Sequence, residues 1–472
     1  MTVILYVKLN KRLQLFRSDP GNDPGNAAFP SHCAGNEMEC VYNSPIEQGR
    51  PMDPRICEID QGSSYIGYRE ACERIRANLR PLDSELIALE LSLHRIAAED
   101  VFALISYPST DISLKDGFAV NSADVDQASP ERPKPLKIIG SAFAGTKFHG
   151  RVPAGSAVSI CSGASIPAGA DAVVAAEFCD PASEHEVCVR ANAGAGRNIL
   201  RSGGEVKAGD IVIRAGKAFL PGTMGLAAAA GISRVKVCRR PKTAVIGIGD
   251  EIVAPGKVLQ SGEVYASNLI TLKGWLDSFG IECSTSLVRD RAEAISLELA
   301  QKQNGHDVIL TSGGAWGSER DLAIRALEAL GWREVFHHVR MGPGKGISFG
   351  IWNGLPVFCL PGGPASNEMA FLQLALPGIL LMSGIPRHPL QSVSATLTEE
   401  VRGRHKAWTE YKDGLLSRDP LGKYEVAPYR SRSRLQAIAG ANCLICVAEG
   451  TDVLRRGETV PVQVLPPRLD MA

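Results

Sequence analysis

The sequence of 472 residues carries no net charge: 51 Lys and Arg balance 51 Asp and Glu. That balance leaves no overall basic field of the kind that draws a protein onto nucleic acid. No apolar run reaches membrane-spanning length, and the strongest stretch, residues 379–382, is far too short. Closely spaced cysteines are almost absent. Twelve cysteines are scattered singly, and only Cys443 and Cys446 form a CxxC, with no second pair to complete a zinc site. Two residues of a buried strand explain that pair better than a metal does. A long chain with scattered thiols fits a reducing, cytoplasmic setting. There is no GxxxxGK(S/T) phosphate loop and no dinucleotide fingerprint, since residues 247–252 put Ile252 where the third Gly belongs. No nucleophilic triad stands out.

What is present is ordinary globular composition, 44% apolar and 22% charged, in a chain long enough for three or four domains. Residues 3–7 are apolar, but Lys8, Lys11 and Arg12 follow them, the reverse of a secretory signal. Residues 18–56 are rich in Pro, Gly, Asn, Asp and Ser, a composition that buries no core. Residues 1–60 are therefore expected to be a disordered extension, with Met52 as a possible alternative start.

Residues 68–79 show a helical apolar pattern that Pro81 breaks, and residues 84–93 resume an apolar pattern. Residues 223–232 read as a helix closed by Gly231. Segments 61–105 and 196–240 thus make a helical and extended linking domain. Between them, residues 106–195 carry short apolar runs separated by Pro, Gly, Asp and Ser clusters, which predicts an inserted β domain. From Thr243 short apolar runs at 244–248, 282–288, 308–311 and 357–360 alternate with helical patterns at 268–279, 292–303, 320–330 and from Pro364. That alternation predicts a doubly wound parallel α/β domain over residues 241–386. Residues 387–472 return to β patterning. The expected fold class is multidomain α/β plus β.

Ligands of open α/β sheets sit beyond the carboxyl ends of the strands. Three Gly-rich segments fall there: GIGDE (247–251), TSGGAWGSERD (311–321) and LPGGPASNEM (360–369). One such loop is more often just a turn; three at one edge point to a ligand. Ser312, Gly313 and Gly314 in the second, and Pro361, Gly362, Gly363 and Ser366 in the third, let the backbone approach an anion. Pro364 pre-sets a helix start whose free amides favour negative charge. Pro343, Gly344 and Lys345 in MGPGKGISFG add a cation at the same edge. Asp116, Glu205, Asp250, Glu251 and Asp321 supply carboxylates; near phosphates, such groups commonly hold Mg²⁺.

These segments, in this order, resemble the molybdopterin molybdenumtransferase family, the MoeA type that includes the gephyrin E domain and plant relatives. REACERI and RIAAEDVFA look like its N-terminal helices, DISLKDGFAV (111–120) its DNSAMDGYAV segment, and SICSGASIPAGADAVVAAE (159–177) its GADAVV segment. GGEVKAGD, GANCLICVAEG and GETVPVQVL complete a match that covers residues 63–465, with the α/β part resembling the MogA-like domain. The resemblance implies insertion of molybdate into adenylylated molybdopterin with release of AMP, assisted by Mg²⁺. It implies a homodimer whose site lies between the MogA-like domain of one subunit and β domains of the other, and transient contact with a MogA-type adenylyltransferase and molybdoenzyme-maturation proteins. On that reading Asp321 and Glu251 hold Mg²⁺, Lys345 attracts the anion, and Asp116, Ser162 and Glu205 reach in from other domains, with Asp250 beside them. No membrane or nucleic-acid partner is implied.

The chain departs from the family in polar motifs. Ile112, Lys115, Val206 and Ile248 replace Asn, Met, Asp and Thr; Ala266 replaces Asp, Gly342 the first Lys of KPGK, and Gly363 the Asn of LPGN. Arg432 lies near a usual Ser, and the arginine of GRxxFxR has no clean match around residues 408–411. Two other readings follow: a scaffold or carrier that binds molybdopterin without turnover, or tuning to tungstate. A nucleotide-processing protein of the CinA type would lack both β domains.

Overall fold

The structure is a computed structural model that describes residues 4–9, 12–17, 65–313 and 322–465. The chain divides into two compact units, Met1–Ser63 and Ser64–Ala472. In the first, Ile4–Leu9 and Arg12–Arg17 pair antiparallel, from Ile4 opposite Arg17 to Leu9 opposite Arg12. Disorder is expected over residues 1–60; along these two strands the chain is paired instead. The polar–apolar alternation of Arg12, Leu13, Gln14 and Leu15 suits a strand. The rest of residues 1–60, Met52 included, lies outside the described residues.

In the second unit, a six-stranded sheet runs in the order Cys283–Val288, Thr243–Ile248, Val308–Ser312, Leu355–Leu360, Ser348–Trp352, Arg333–His337. The first four strands are parallel. Ser348–Trp352 alone runs against them, antiparallel to both Leu355–Leu360 and Arg333–His337, so the sheet is mixed near one edge rather than parallel throughout. A two-residue Asn353–Gly354 turn, with φ of 48° and 81°, makes that edge hairpin. Val245 faces one core with Leu310, Phe358 and Leu272. Ala244 and Ile246 face a second core with Ile309, Val357, Ile295 and Leu327. A strand buried on both faces shows a continuous apolar run, which is why Thr243–Ile248 reads as one.

The helices Ser267–Ser278, Ala292–Gln303 and Leu322–Ala329 fall where the alternating pattern puts them. The helix that starts at Pro364 continues to Met382 through a wider π turn at Phe371–Ala375. Pro377 has no amide to give the carbonyl of Gln373, four residues back. That carbonyl instead accepts from the Tyr68 hydroxyl at 3.4 Å. The helix is long and apolar enough to cross a membrane by length and composition, where the sequence suggested no such run. Its window is 78% buried in the protein, as befits a core helix.

Residues 106–195 hold a six-stranded sheet in the order Ala172–Ala175, Gly117–Val120, Ser156–Ile160, Lys134–Ala142, Glu186–Val189, Cys179–Ser183. On either side, segments far apart in sequence share one core, built from Leu89, Ala97 and Ala103 with Val206, Phe219 and Val235. Ser84–Ala88 pairs with Arg234–Cys238 and Val101–Phe102 with Ile211–Ile213. RIAAEDVFA is therefore not a helix: Ile96 and Ala97 bridge to Ala218 and Val237. Cross-strand partners from a distant segment override its local helical preference. REACERI does lie in a helix, Tyr68–Asn78.

The C-terminal sheet has seven strands in the order Tyr424–Pro428, Gln391–Leu397, Thr459–Val464, Cys443–Val447, Thr409–Arg418, Val339–Gly342, Ile66–Gly67. Val339–Gly342 thus leaves the α/β part and joins this sheet, pairing with residues 409–410 and 66–67. Cys443 and Cys446 lie three apart on one strand, on opposite faces. Burial raises both thiols, Cys443 to about 12.

Candidate functional site

The strand order places Thr243–Ile248 between two parallel neighbours, one reached after the helix Ser267–Ser278 and one only after a further helix, Ala292–Gln303. That is a topological switch point, the place beyond the strand ends where open α/β sheets take their ligands. Three loops close on it. Gly313 has φ of +98°, and a Cβ there would lie 2.4 Å from the Ile248 carbonyl oxygen. Its amide donates to Leu360 O at 3.1 Å, and a Cβ on Gly362 would lie 3.7 Å from the Gly313 Cα.

Ser312 is the hub. Asn367 Nδ2 donates to the Ser312 hydroxyl at 2.9 Å and to Pro361 O at 2.8 Å. Asn268 Nδ2 donates to the same hydroxyl at 3.2 Å and to Gly362 O at 2.8 Å. These two asparagines were not picked out from sequence; the available signal was an amide side chain in the first turn of each helix that follows a Gly-rich loop. Asp250 accepts from the Asp290 amide at 3.3 Å. Glu251 folds back toward Gly249, where an added Cβ would lie 2.5 Å from its Oε2. Gly314 and Asp321 lie outside the described residues. Among the described residues, no three His, Cys, Asp or Glu side chains form a metal cluster.

Pro343, Gly344, Lys345 and Ser366 line a cavity of about 670 Å³ between the α/β part and residues 400–434. Gly344 reaches the helix start, where an added Cβ would sit 3.3 Å from Ser366 O. Lys345 Nζ lies 6.0 Å from the ring centroids of both Tyr65 and Trp408. Glu410, buried in the wall, accepts from the amides of Arg404 at 2.5 Å and His405 at 2.9 Å and from Lys412 Nζ at 2.5 Å. Burial works against its charge, but Lys412 and those amides prevail and hold its carboxyl below the usual range. Asp413 also lines the cavity, and burial raises it. Glu368 sits on the helix that starts at Pro364. Burial pushes it up to about 7, Asp413 adds to the rise, and a 2.7 Å hydrogen bond from Trp275 Nε1 opposes it. A second cavity of about 330 Å³, against helix Tyr68–Asn78, contains none of the predicted residues.

Of the remaining candidates, Asp116 and Ser162 meet in the inserted β region, and Glu205 follows it in the linking segment. Asp116 Oδ1 accepts from the Ser162 amide at 2.7 Å. Asp111 accepts from Arg201 Nη1 at 2.5 Å and from the Ser202 amide at 2.8 Å, and Ser202's amide leads in holding its carboxyl low. The Glu205 amide donates to Tyr107 O at 3.1 Å, so its loop is tied to the same group of segments. Two of the departures are packing residues: Val206 and Ile248 are buried in apolar cores. Ala266 is the N-cap of Ser267–Ser278 and offers no side-chain cap.

Glycine-rich loops at a switch point, a cavity with Lys345 in its wall beside them and flanking β sheets are the arrangement of a multidomain protein with a candidate ligand site on its α/β unit. Three family models match the chain in order: the MoeA N-terminal region (domain I and II) over residues 66–231, a "Probable molybdopterin binding domain" over 244–380 and the MoeA C-terminal region (domain IV) over 397–465. The molybdopterin molybdenumtransferase of Haemophilus influenzae is 32% identical over 390 residues, 81% of this chain and 94% of that one. Its counterpart in Staphylococcus aureus is 29% identical over 399 residues, 84% and 95% of the two chains. The crystal structure of a molybdopterin biosynthesis MoeA protein from Pyrococcus horikoshii superposes with a TM-score of 0.72 at 29% identity, covering 85% of this chain and 99% of that one. The chain belongs to the molybdopterin molybdenumtransferase (MoeA) family and is a transferase of molybdenum cofactor biosynthesis.

Proposed function

We propose that the protein inserts molybdate into adenylylated molybdopterin and releases AMP, in the cytoplasm and as a homodimer. The observation that carries this reading is the Ser312 hub: two amide side chains lock the second and third glycine loops together at the switch point. Loops held in that way present backbone amides to the phosphates without reorganising, which is how a site stabilises charge that develops during reaction. Lys345 and Ser366, in the adjoining cavity, draw the second anion. Residues 61–105 with 196–240, 106–195, 241–386 and 387–472 act as four domains, of which the first brings Glu205 and the second Asp116 and Ser162.

Mg²⁺ fits what is present. Asp250 and Glu251 follow the strand Thr243–Ile248 after Gly249, and carboxylate oxygens are the hard donors this ion takes. It usually keeps several waters and needs only one or two protein carboxylates beside phosphate oxygens. Glu251, with Asp321, would hold it, and the ion would supply charge neutralisation at the phosphoanhydride. Asp250, Asp116 and Glu205 orient the reacting groups. Contacts with a MogA-type adenylyltransferase and with maturation proteins would deliver the substrate and take the product.

The test is direct. Purified protein given adenylylated molybdopterin, Mg²⁺ and molybdate is expected to release AMP and yield cofactor that activates a molybdoenzyme; no AMP release, where another family member works, overturns the reading. A second reading is favoured by the uncapped helix at Ala266 and the missing cation at Gly342: binding without turnover, or preference for tungstate. Rescue of a molybdenumtransferase-null strain on molybdate excludes binding without turnover.

A further inference from the structure

The cavity of about 330 Å³ against the helix Tyr68–Asn78 shares no lining residue with the cavity that holds Lys345. Arg69, Cys72, Glu73 and Arg76 line it from that helix, at the three- and four-residue spacing of a single face. The helix buries a different face, with Ala71 and Ile75 in the core, so this stripe is left polar. The facing wall is the helix that starts at Pro364, through Leu374, Pro377 and Leu381. Gly378 lets the two helices close up, since a Cβ there would lie 3.1 Å from Ile75 Cγ2. Arg387 and His388 form a third side. The walls thus carry three guanidiniums and one carboxylate, Glu73. Among the described residues, the side chains of Arg69, Arg76 and Arg387 have no hydrogen-bond or ion-pair partner. The field of Arg76 reaches both walls. Burial lowers the His388 imidazole, and the Arg76 charge lowers it further; burial raises the Cys72 thiol, and the same charge opposes the rise.

We propose that this cavity is a second ligand site, for a small organic anion whose carboxylate or phosphate oxygens take Arg69, Arg76 and Arg387 and whose apolar body rests on Leu374, Pro377 and Leu381. Each guanidinium presents a planar fork of N–H donors that matches two oxygens of either group. Three such forks against one carboxylate leave the cavity two positive charges in excess, and an anion relieves their mutual repulsion. Glu73 is the one group in the walls that repels the ligand, and Arg69 and Arg76 lie one turn to either side of it. The apolar wall and the volume, at the small end of the range that takes organic ligands, argue against a bare oxyanion. The proposal shares no residue with the candidate substrate site and stands whatever that site does.

Titration calorimetry on the full-length protein tests this with four probes. Benzoate and phenyl phosphate carry an anion on an apolar body, inorganic phosphate lacks the body, and benzyl alcohol lacks the charge. At least one of the two aromatic anions is expected to bind about tenfold or more tighter than either control. A lead for benzoate identifies the ligand's anionic group as a carboxylate, and a lead for phenyl phosphate as a phosphate. Arg76→Gln combined with Arg387→Gln is expected to weaken that binding about tenfold or more. Both side chains are exposed, so the urea midpoint of the variant should match the parent's. Arg76→Lys with Arg387→Lys keeps the charge and is expected to retain part of the affinity, which separates loss of the anion site from loss of fold. Lys345→Ala is expected to leave the binding unchanged, because Lys345 lines the other cavity. The proposal is overturned if neither aromatic anion outbinds both controls, if the binding survives the paired Arg→Gln change, or if Lys345→Ala abolishes it and so moves it to the substrate cavity.

Discussion

Glycines that look alike in the sequence differ sharply in what they tolerate. Gly313 has φ of +98° and would press a Cβ to 2.4 Å from the Ile248 carbonyl. Gly363 has φ of −69° and nothing within 4 Å of an added Cβ. Gly313→Ala must strain the backbone or part the first two loops, so it is expected to lower stability by about 1–3 kcal/mol and to abolish ligand binding at the crevice. Gly363→Asn, which restores the residue usual in the family, is expected to stay within about 0.5 kcal/mol of the parent. Urea unfolding of the two variants side by side checks both, and equal losses would refute the distinction. The sequence could mark the three loops because glycine clusters after strands are visible as letters. It could not rank the glycines within them, because the rank depends on a carbonyl from a strand some sixty-five residues earlier in the chain. Asn268 and Asn367 escaped for the same reason: an amide side chain becomes a site residue only when a distant hydroxyl, here Ser312, comes within reach.

Elements follow the same division between local and distant causes. Ala292–Gln303 is legible because its apolar spacing stands by itself. Val339–Gly342 is not, because its partners are residues 66–67 and 409–410 and no periodicity in four residues announces them. The edge hairpin of Ser348–Trp352 and Leu355–Leu360 did carry a signal, the Asn353–Gly354 turn, that the sequence reading passed over. The helix from Pro364 to Met382 permits a quantitative prediction, because it buries a carboxyl. Glu368 is 8% exposed and burial pushes it up to about 7. Its folded value thus exceeds the ordinary carboxylate value that the unfolded chain keeps. Its contribution is fully present below pH about 4.5, and shrinks as the unfolded chain gives up a proton that the folded protein retains. It is lost once pH passes about 7. Relative to Glu368→Gln, which keeps an oxygen for the Trp275 indole, the parent should lose stability between about pH 5 and pH 8, by up to about 3 kcal/mol. Asp413, also raised by burial, acts with the same sign. A stability difference that stays flat over that range would show that Glu368 is already ionised at low pH in the folded protein.

At the scale of the molecule, the candidate residues gather in separate places. Ser312, Gly313 and Gly362 meet at the switch point, Lys345 and Ser366 line the cavity beside it, and Asp116 binds the Ser162 amide in the inserted sheet. A sequence shows that all of these belong to one family pattern but not which copies of the chain combine them. The proposed homodimer gives an answer: Asp116, Ser162 and Glu205 of one subunit complete the cavity of the other. Exposed apolar residues in the linking segments, among them Leu86, Leu91, Phe102, Leu104 and Ile105, are suited to contact between copies. A mixed-subunit experiment decides the matter. Asp116→Ala and Lys345→Ala are each expected to abolish AMP release. If one site draws on both subunits, a dimer of one variant with the other has one site in which both residues are intact and one in which both are lost. Random pairing makes half of the dimers mixed, so co-expression should restore about a quarter of the parent activity. If every site is built from a single chain, each site in the mixture still lacks one of the two residues and no activity returns. Restoration would therefore fix the inserted sheet as the partner's contribution to the site, and its absence, with mixed dimers confirmed by tagging each variant, would place Asp116 and Lys345 in the same subunit's site or remove Asp116 from it.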